Sequence, residues 1–300
     1  MNLNNLKVPL IVYWDINPLS DITQHAVHSI CDGLVRNRIF VINIWDSSPT
    51  IRKETSLILK RLRNENINIT LTINNKAVRS LELREFMPAL KKILIHYETL
   101  EQLTSGLEKI KSYQIEELPV GIAFFVDEET YRNIPDVLKL CLEAGIKDIH
   151  IPIQRPKSDQ GIFYPDEEIT GWLLNEIKDI KKDNLNINVH DPFLWTIFNN
   201  GVATKDTKGC QGANTMVYIS GDLDITPCPL LPIVLGNLKS TTLTEIFLSH
   251  ERQQSLRRLS IPPEECRSCD RLNECSGGCR GRAYILYKTF DKRDPACNYS

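Results

Sequence analysis

Seven of the nine cysteines in this 300-residue chain fall between Cys210 and Cys297. Four of them, Cys266, Cys269, Cys275 and Cys279, follow a C-x2-C-x5-C-x3-C spacing. Cys210 and Cys228 lie upstream, on either side of an expected hairpin with strands Met216 to Ser220 and Leu223 to Thr226 and a turn at Gly221-Asp222. Cys297 lies downstream, after Asp294-Pro295. Clustered thiolates are soft ligands suited to iron–sulfur clusters or zinc. Gly277-Gly278 allows tight backbone packing whose free amides can hydrogen-bond sulfur. A disulfide framework fits poorly. Met1 to Trp14 shows no basic, apolar and small-residue series of a secretory leader, so a cytoplasmic chain with reduced thiols is expected. An odd number of cysteines would also leave a spare thiol. Zinc needs four ligands per site, so seven cysteines fill two all-thiolate sites only with a borrowed ligand.

The first two-thirds of the chain alternate apolar β-branched runs with amphipathic stretches. Strands are expected at Val8 to Trp14, Phe40 to Trp45, Ile67 to Ile73, Lys92 to His96, Pro119 to Val126, Ile146 to Ile153 and Leu185 to Val189. Helices are expected from a cap at Ser20 or Asp21 to Asn37, then over Thr50 to Asn64, Glu98 to Ser112, Tyr131 to Ala144 and Asp166 to Lys181. Repeated βα units imply a parallel sheet covered by helices, and a barrel of the TIM type places its site at the C-terminal strand ends. Thr242 to Glu245 is a capping-box pattern opening one helix to about Leu259. A formal net charge of −2 with no basic stripe argues against nucleic acid as a partner. The absence of a run of 18 apolar residues argues against a membrane span.

The cysteine pattern resembles the SPASM domain, the C-terminal extension of many radical-SAM enzymes. Cys210, Gly221, Cys228, the Cys266 to Cys279 block and Cys297 all have counterparts, together with Pro227-Cys228-Pro229, Gly277-Gly278-Cys279-Arg280 and Asp294-Pro295. Six residues separate Gly221 from Cys228, where the family usually has four. The resemblance implies an α/β fold: a partial (β/α)6 barrel of radical-SAM type over residues 1–200, then a small Cys-rich SPASM domain over residues 201–300. It implies two auxiliary 4Fe–4S clusters, the first on Cys210, Cys228 and Cys279, the second on Cys266, Cys269, Cys275 and Cys297. The cysteine that completes the first set in many relatives is missing. An iron is therefore left open, or is met by Asp206, His190 or a partner's group.

The strand ends depart from that family. After the first strand it carries C-x3-C-x2-C, whereas the link here, Asp15 to Asp21, has no cysteine; Cys31 lies inside the following helix and reads as core. After the second strand the family's Gly-Gly-Glu-Pro holds the amino group of S-adenosylmethionine. Here Asp46-Ser47-Ser48-Pro49 keeps only the proline, and Asp46 reads as a helix cap more readily than as a replacement for the glutamate. The expectation is a degenerate barrel whose S-adenosylmethionine site is lost and which does not cleave that cofactor. Its function would be to support a partner protein, by electron transfer or substrate presentation, in tetrapyrrole or peptide maturation, with a lean to the haem and haem d1 group. The alternatives are an enzyme working at the open iron, a radical enzyme whose cluster a partner supplies, and a zinc-binding structural module. His96, His150, Gln154-Arg155 and His190-Asp191 stand at or near strand ends; the histidines read as core or rim, Arg155 as a carboxylate binder and Asp191 as a cap. Arg280 and Arg282 read equally as cluster-tuning charges or as surface residues.

Overall fold

In the computed structural model, the described residues are 6–16, 22–77, 83–115, 120–155, 161–199 and 209–298. Strands β1 (Ile11–Ile16), β2 (Val41–Asp46), β3 (Asn68–Asn74), β4 (Lys92–Tyr97), β5 (Val120–Phe124), β6 (Asp148–Ile151) and β7 (Asn186–Val189) pair in parallel, in chain order. Helices α1 (Gln24–Arg36), α2 (Lys53–Leu62), the short α3 (Leu83–Phe86), α4 (Leu100–Ile115), α5 (Ile134–Ala144) and α6 (Glu167–Ile177) connect them, and α7 (Pro192–Phe198) follows β7. The hairpin β8 (Met216–Ile219) and β9 (Asp224–Thr226) then returns to the start: β8 pairs in parallel with β1, and β10 (Gly236–Asn237) extends β9. The sheet order is β10-β9-β8-β1-β2-β3-β4-β5-β6-β7. It therefore runs on from the barrel strands into the cysteine-bearing part; residues 200–208, where the two were expected to meet, lie outside the described set.

Alternation divides the sheet into two faces. Val12, Trp14, Ile42, Ile44, Ile93 and Ile95 are buried in one core with Val27, Ile30, Cys31 and Leu34 of α1, a helical stripe spaced by three and four residues. Full burial of each such aliphatic side chain contributes about 1.5–3 kcal/mol. Cys31 is thus a core residue, and burial pushes its thiol up to about 12. Thr23 caps α1, accepting the Ala26 N–H at 3.2 Å; the expected cap at Ser20 or Asp21 lies outside the described residues. Gly145, at φ +70°, ends α5 in the left-handed conformation that favours glycine.

The opposite face is polar, and its contacts reveal the curvature. Six strand-to-strand steps of about 4.8 Å would hold β1 and β7 about 29 Å apart in a flat sheet. Yet the Tyr13 hydroxyl of β1 lies 2.6 Å from Nε2 of His190, just past β7. The sheet is therefore curled into a partial barrel with these side chains inside. At its N-terminal end, Lys92 of β4 pairs with Asp148 of β6 across β5. Gly121 permits this, because a Cβ there would come within 2.7 Å of the Asp148 Cβ.

The expected single helix from Thr242 to Leu259 is two helices, α8 (Leu243–Leu248) and α9 (His250–Ser260). The Thr242–Glu245 capping box opens α8. Ser249 then adopts an extended backbone (ψ 160°) and accepts the Arg252 N–H, so it ends one helix and caps the next.

His96 and His150 face the barrel interior, and burial holds both in the neutral form, His96 at about 4 and His150 at about 3. An unfolded histidine takes up its proton near pH 6.5. Their contribution to stability is therefore complete above about pH 6.5 and is lost as pH falls toward 4, at up to about 1.4 kcal/mol per pH unit for each residue. Urea unfolding at pH 7.5, 6.5 and 5.5 should show stability falling with acidification, and H150N should flatten that slope.

Candidate iron–sulfur sites and adjoining cavity

Past the sheet the chain forms two more short helices, α10 (Leu272–Cys275) and α11 (Arg280–Tyr287). Between them Ser276, Gly277 and Gly278 all take positive φ (50°, 86° and 68°). This left-handed run turns the chain back on Cys275, whose carbonyl accepts the Gly278 N–H at 2.9 Å and whose thiol is drawn downward by the neighbouring Gly277 N–H. Neither glycine has room for a side chain: a Cβ would meet Pro263 at 2.7 Å or Asp294 at 2.6 Å.

The seven cysteines fall into two electrostatic neighbourhoods. Burial raises the Cys228 thiol well above its usual range, and the nearby Cys210 and Cys279 raise it further. Burial also pushes Cys279 up to about 12 and Cys210 upward. Cys266 is pushed to about 11, first by burial and then by Cys275, Cys297 and Cys269. Cys275 is raised by burial and by Cys297 and Cys269. Neighbouring backbone N–H groups pull against the burial, Gly212 at Cys210, Leu230 at Cys228 and Arg282 at Cys279, while the Leu231 N–H donates to the Cys228 carbonyl at 3.1 Å. Among the described residues no three His, Cys, Asp or Glu side chains close around a point as ligands of a single ion would. Buried, mutually repelling thiolates with neighbouring N–H donors suit polycationic iron centres, which neutralise the repulsion while the amides tune them.

Arg282 locks this region to the barrel. Its guanidinium, 0 % exposed, donates to both Asp294 oxygens, Nε at 2.7 Å and Nη2 at 2.8 Å, and Nη1 pairs with Asp191. Asp294 also accepts the Cys279 N–H at 2.5 Å and the Ala296 N–H at 3.1 Å, and so fixes the backbone beside Cys279 and Cys297. Asp191 caps α7 through the N–H groups of Phe193 and Leu194. Arg280 is buried as well, at 2 % exposure. Neither arginine is the surface residue that the sequence equally allowed, because the turn at Gly277-Gly278 sends α11 inward.

A cavity of about 550 Å³ lies between the β6–β7 edge, α7 and the first cysteine group. Ile153, Val189 and Trp195 line one side, Cys210, Cys228 and Cys279 the other, with His190 and Arg280 among its polar groups. Burial pushes the Tyr13 hydroxyl up to about 12, so it stays protonated, and it shares a 2.6 Å hydrogen bond with Nε2 of His190.

On the side of β1, β2 and β4 the C-terminal mouth of the barrel is filled by its own side chains. Arg155 forks onto Asp15, Nε to Oδ2 at 2.5 Å and Nη2 to Oδ1 at 2.8 Å, so the carboxylate expected for it is the chain's own. Tyr218 donates to the same Asp15 at 2.9 Å. The Arg155 guanidinium stacks 4.1 Å from the centre of Trp45, which packs with His96 and Phe125 at ring separations of 5.2 and 4.6 Å. Asp46 is spent on the start of α2: it accepts the N–H groups of Ser48 (3.1 Å) and Arg52 (2.8 Å) and the Thr55 hydroxyl (2.7 Å). Asp206, a candidate fourth ligand, lies outside the described residues. The aromatic filling at Trp45 and Phe125 was missed in the sequence, although Trp45 stands on the same strand face as Tyr13 and Asp15.

Residues 210–270 match the SPASM family, described as an iron-sulfur cluster-binding domain. The chain is 27 % identical to the AdoMet-dependent heme synthase of Nitratidesulfovibrio vulgaris over 224 residues, 66 % of this chain and 58 % of that protein. It is 33 % identical to the PqqA peptide cyclase of Granulibacter bethesdensis over 196 residues, 61 % of this chain and 50 % of that protein. The chain thus spans little more than half the length of these curated relatives. Its fold is similar to that of Streptococcus suis SuiB (TM-score 0.73, 16 % identity, covering 99 % of this chain and 78 % of SuiB), which has also been solved bound to the precursor peptide SuiA. The fold is a partial α/β barrel similar to that of SuiB, followed by a region that matches an iron-sulfur cluster-binding domain. No helix among the described residues is long and apolar enough to cross a membrane.

Removing one member of a buried ion pair typically costs about 3–5 kcal/mol, because the remaining charges stay buried. R282M should destabilise the protein by about that amount in chemical unfolding, with D294N nearly as costly and the double variant far less costly than the sum.

Proposed function

We propose that this chain holds two 4Fe–4S clusters and acts as a non-radical iron–sulfur partner in the maturation of a tetrapyrrole cofactor or a peptide. Cys210, Cys228 and Cys279 would hold one cluster, and Cys266, Cys269, Cys275 and Cys297 the other. The single observation that carries the reading is the sorting of seven buried or half-buried cysteines into these two mutually sensitive groups, each with neighbouring backbone N–H donors. When bound, such clusters supply one-electron transfer and, where one iron lacks a protein thiolate, a Lewis-acidic position.

The chain's own residues supply the rest. The apolar walls of the cavity suit a hydrophobic ligand, while Arg280 and the Tyr13–His190 pair offer polar contacts on one side. The names of the relatives, a heme synthase and a peptide cyclase, fit a tetrapyrrole or peptide ligand. The filled barrel mouth and the engagement of Asp46 in capping support a barrel that does not cleave S-adenosylmethionine. The cavity wall formed by the three-cysteine group favours a second reading, catalysis on a bound ligand at the iron left without a thiolate.

Anaerobic purification, with iron, sulfide and zinc counted and S-adenosylmethionine cleavage assayed under reducing conditions, tests this reading. About eight irons and eight sulfides per chain are expected, with no cleavage. C228S and C269S should each lose about four irons and leave the other cluster in place. Zinc without sulfide would sink the proposal, and about twelve irons with cleavage would overturn its non-radical part.

A further inference from the structure

Two arginines of α11, two residues apart, point to different surroundings. Arg282 is matched by two carboxylates. Arg280 is equally buried but donates only to neutral carbonyls, Nη1 to Ile261 at 3.1 Å and Nη2 to Phe290 at 2.6 Å. Its Nε is buried and, among the described residues, has no hydrogen-bond partner. A buried cation hydrogen-bonded only to carbonyls, with the Asp291 carboxylate acting on it beyond hydrogen-bond reach, is costly, and a buried donor without an acceptor adds to that cost. Both costs are offset if anionic sulfur lies against this guanidinium.

The position fits. Arg280 follows Cys279 directly, and its Nη1 lies 3.6 Å from the point where a Gly277 Cβ would stand, within the turn that serves Cys275. It lines the inner cavity together with Cys210 and Cys228, and also an outer groove of about 450 Å³ beside Arg258 and Arg267. Its charge acts on Cys210 of the first group, Cys266 of the second, Asp291 and then Cys279, so both cysteine groups lie within its reach.

We infer that Arg280 is a positioning residue shared by both clusters, donating its free N–H to cluster sulfur and raising the reduction potential of both with one buried charge. The inference rests on the reading that the two cysteine groups hold clusters. A positive charge and an N–H donor near a cluster each favour the reduced, more negative state. One residue thereby keeps the two potentials in step, which suits electrons passing between the outer groove and the cavity.

The test is an EPR-monitored redox titration of the cluster-loaded full chain. In R280Q both midpoint potentials should move to more negative values while the iron content stays at about eight. R280K keeps the charge but lacks the guanidinium donor, so both potentials should fall by less. R258Q, which changes an exposed groove arginine, should leave both unchanged. Wild-type potentials in R280Q or R280K, or a shift confined to one cluster, would overturn the inference. If R280Q loses iron, the R280K titration decides alone. Failure of the underlying reading is distinguishable, because wild-type protein would then lack iron and sulfide before any potential was measured.

Discussion

The buried contact of Arg282 with Asp191 and Asp294 is the constraint on which the rest of the site depends. Asp191 starts α7 at the end of the last barrel strand, and Asp294 holds the backbone of the Cys279 turn. One guanidinium therefore sets the distance between the barrel edge and the cysteine groups, and with it the width of the cavity. The order of events is local first. Positive φ at three successive residues turns α11 inward, this buries Arg282, and the burial makes its pairing with two carboxylates obligatory.

Much of the fold was legible because one physical signal dominates it. Parallel strands under a helical layer need an apolar outer face, and the Ile- and Val-rich runs from β1 to β6 show it plainly. The cysteine spacing pointed to the right part of the chain for the same reason, since soft ligands must recur at short intervals. The misplaced features turned on tertiary context. Ser249 reads as an ordinary helical residue until its backbone is seen to be extended. Arg280 and Arg282 look like surface residues until the Gly277-Gly278 turn directs them inward. Arg155 was read correctly as a carboxylate binder, but its partner is 140 residues away in sequence and invisible to any local pattern.

The barrel and the cysteine region divide the polar chemistry between them. The barrel's polar groups largely satisfy one another: Asp15 takes Arg155 and Tyr218, Lys92 takes Asp148, and Trp45 lies under the Arg155 guanidinium. In the cysteine region the thiols crowd one another, and two buried arginines, Arg252 and Arg280, donate to backbone carbonyls with no carboxylate in hydrogen-bond reach among the described residues.

The pairing of β8 with β1 has a consequence for how the molecule is made. The two strands are more than two hundred residues apart, so the first strand's edge must wait for the two hundred and sixteenth residue and its neighbours to leave the ribosome. At synthesis rates of about 5–20 residues per second, that wait is about ten seconds or more. Throughout it a half-formed sheet presents an open edge of the kind that recruits foreign strands. The cysteine region thus closes the seam of the barrel.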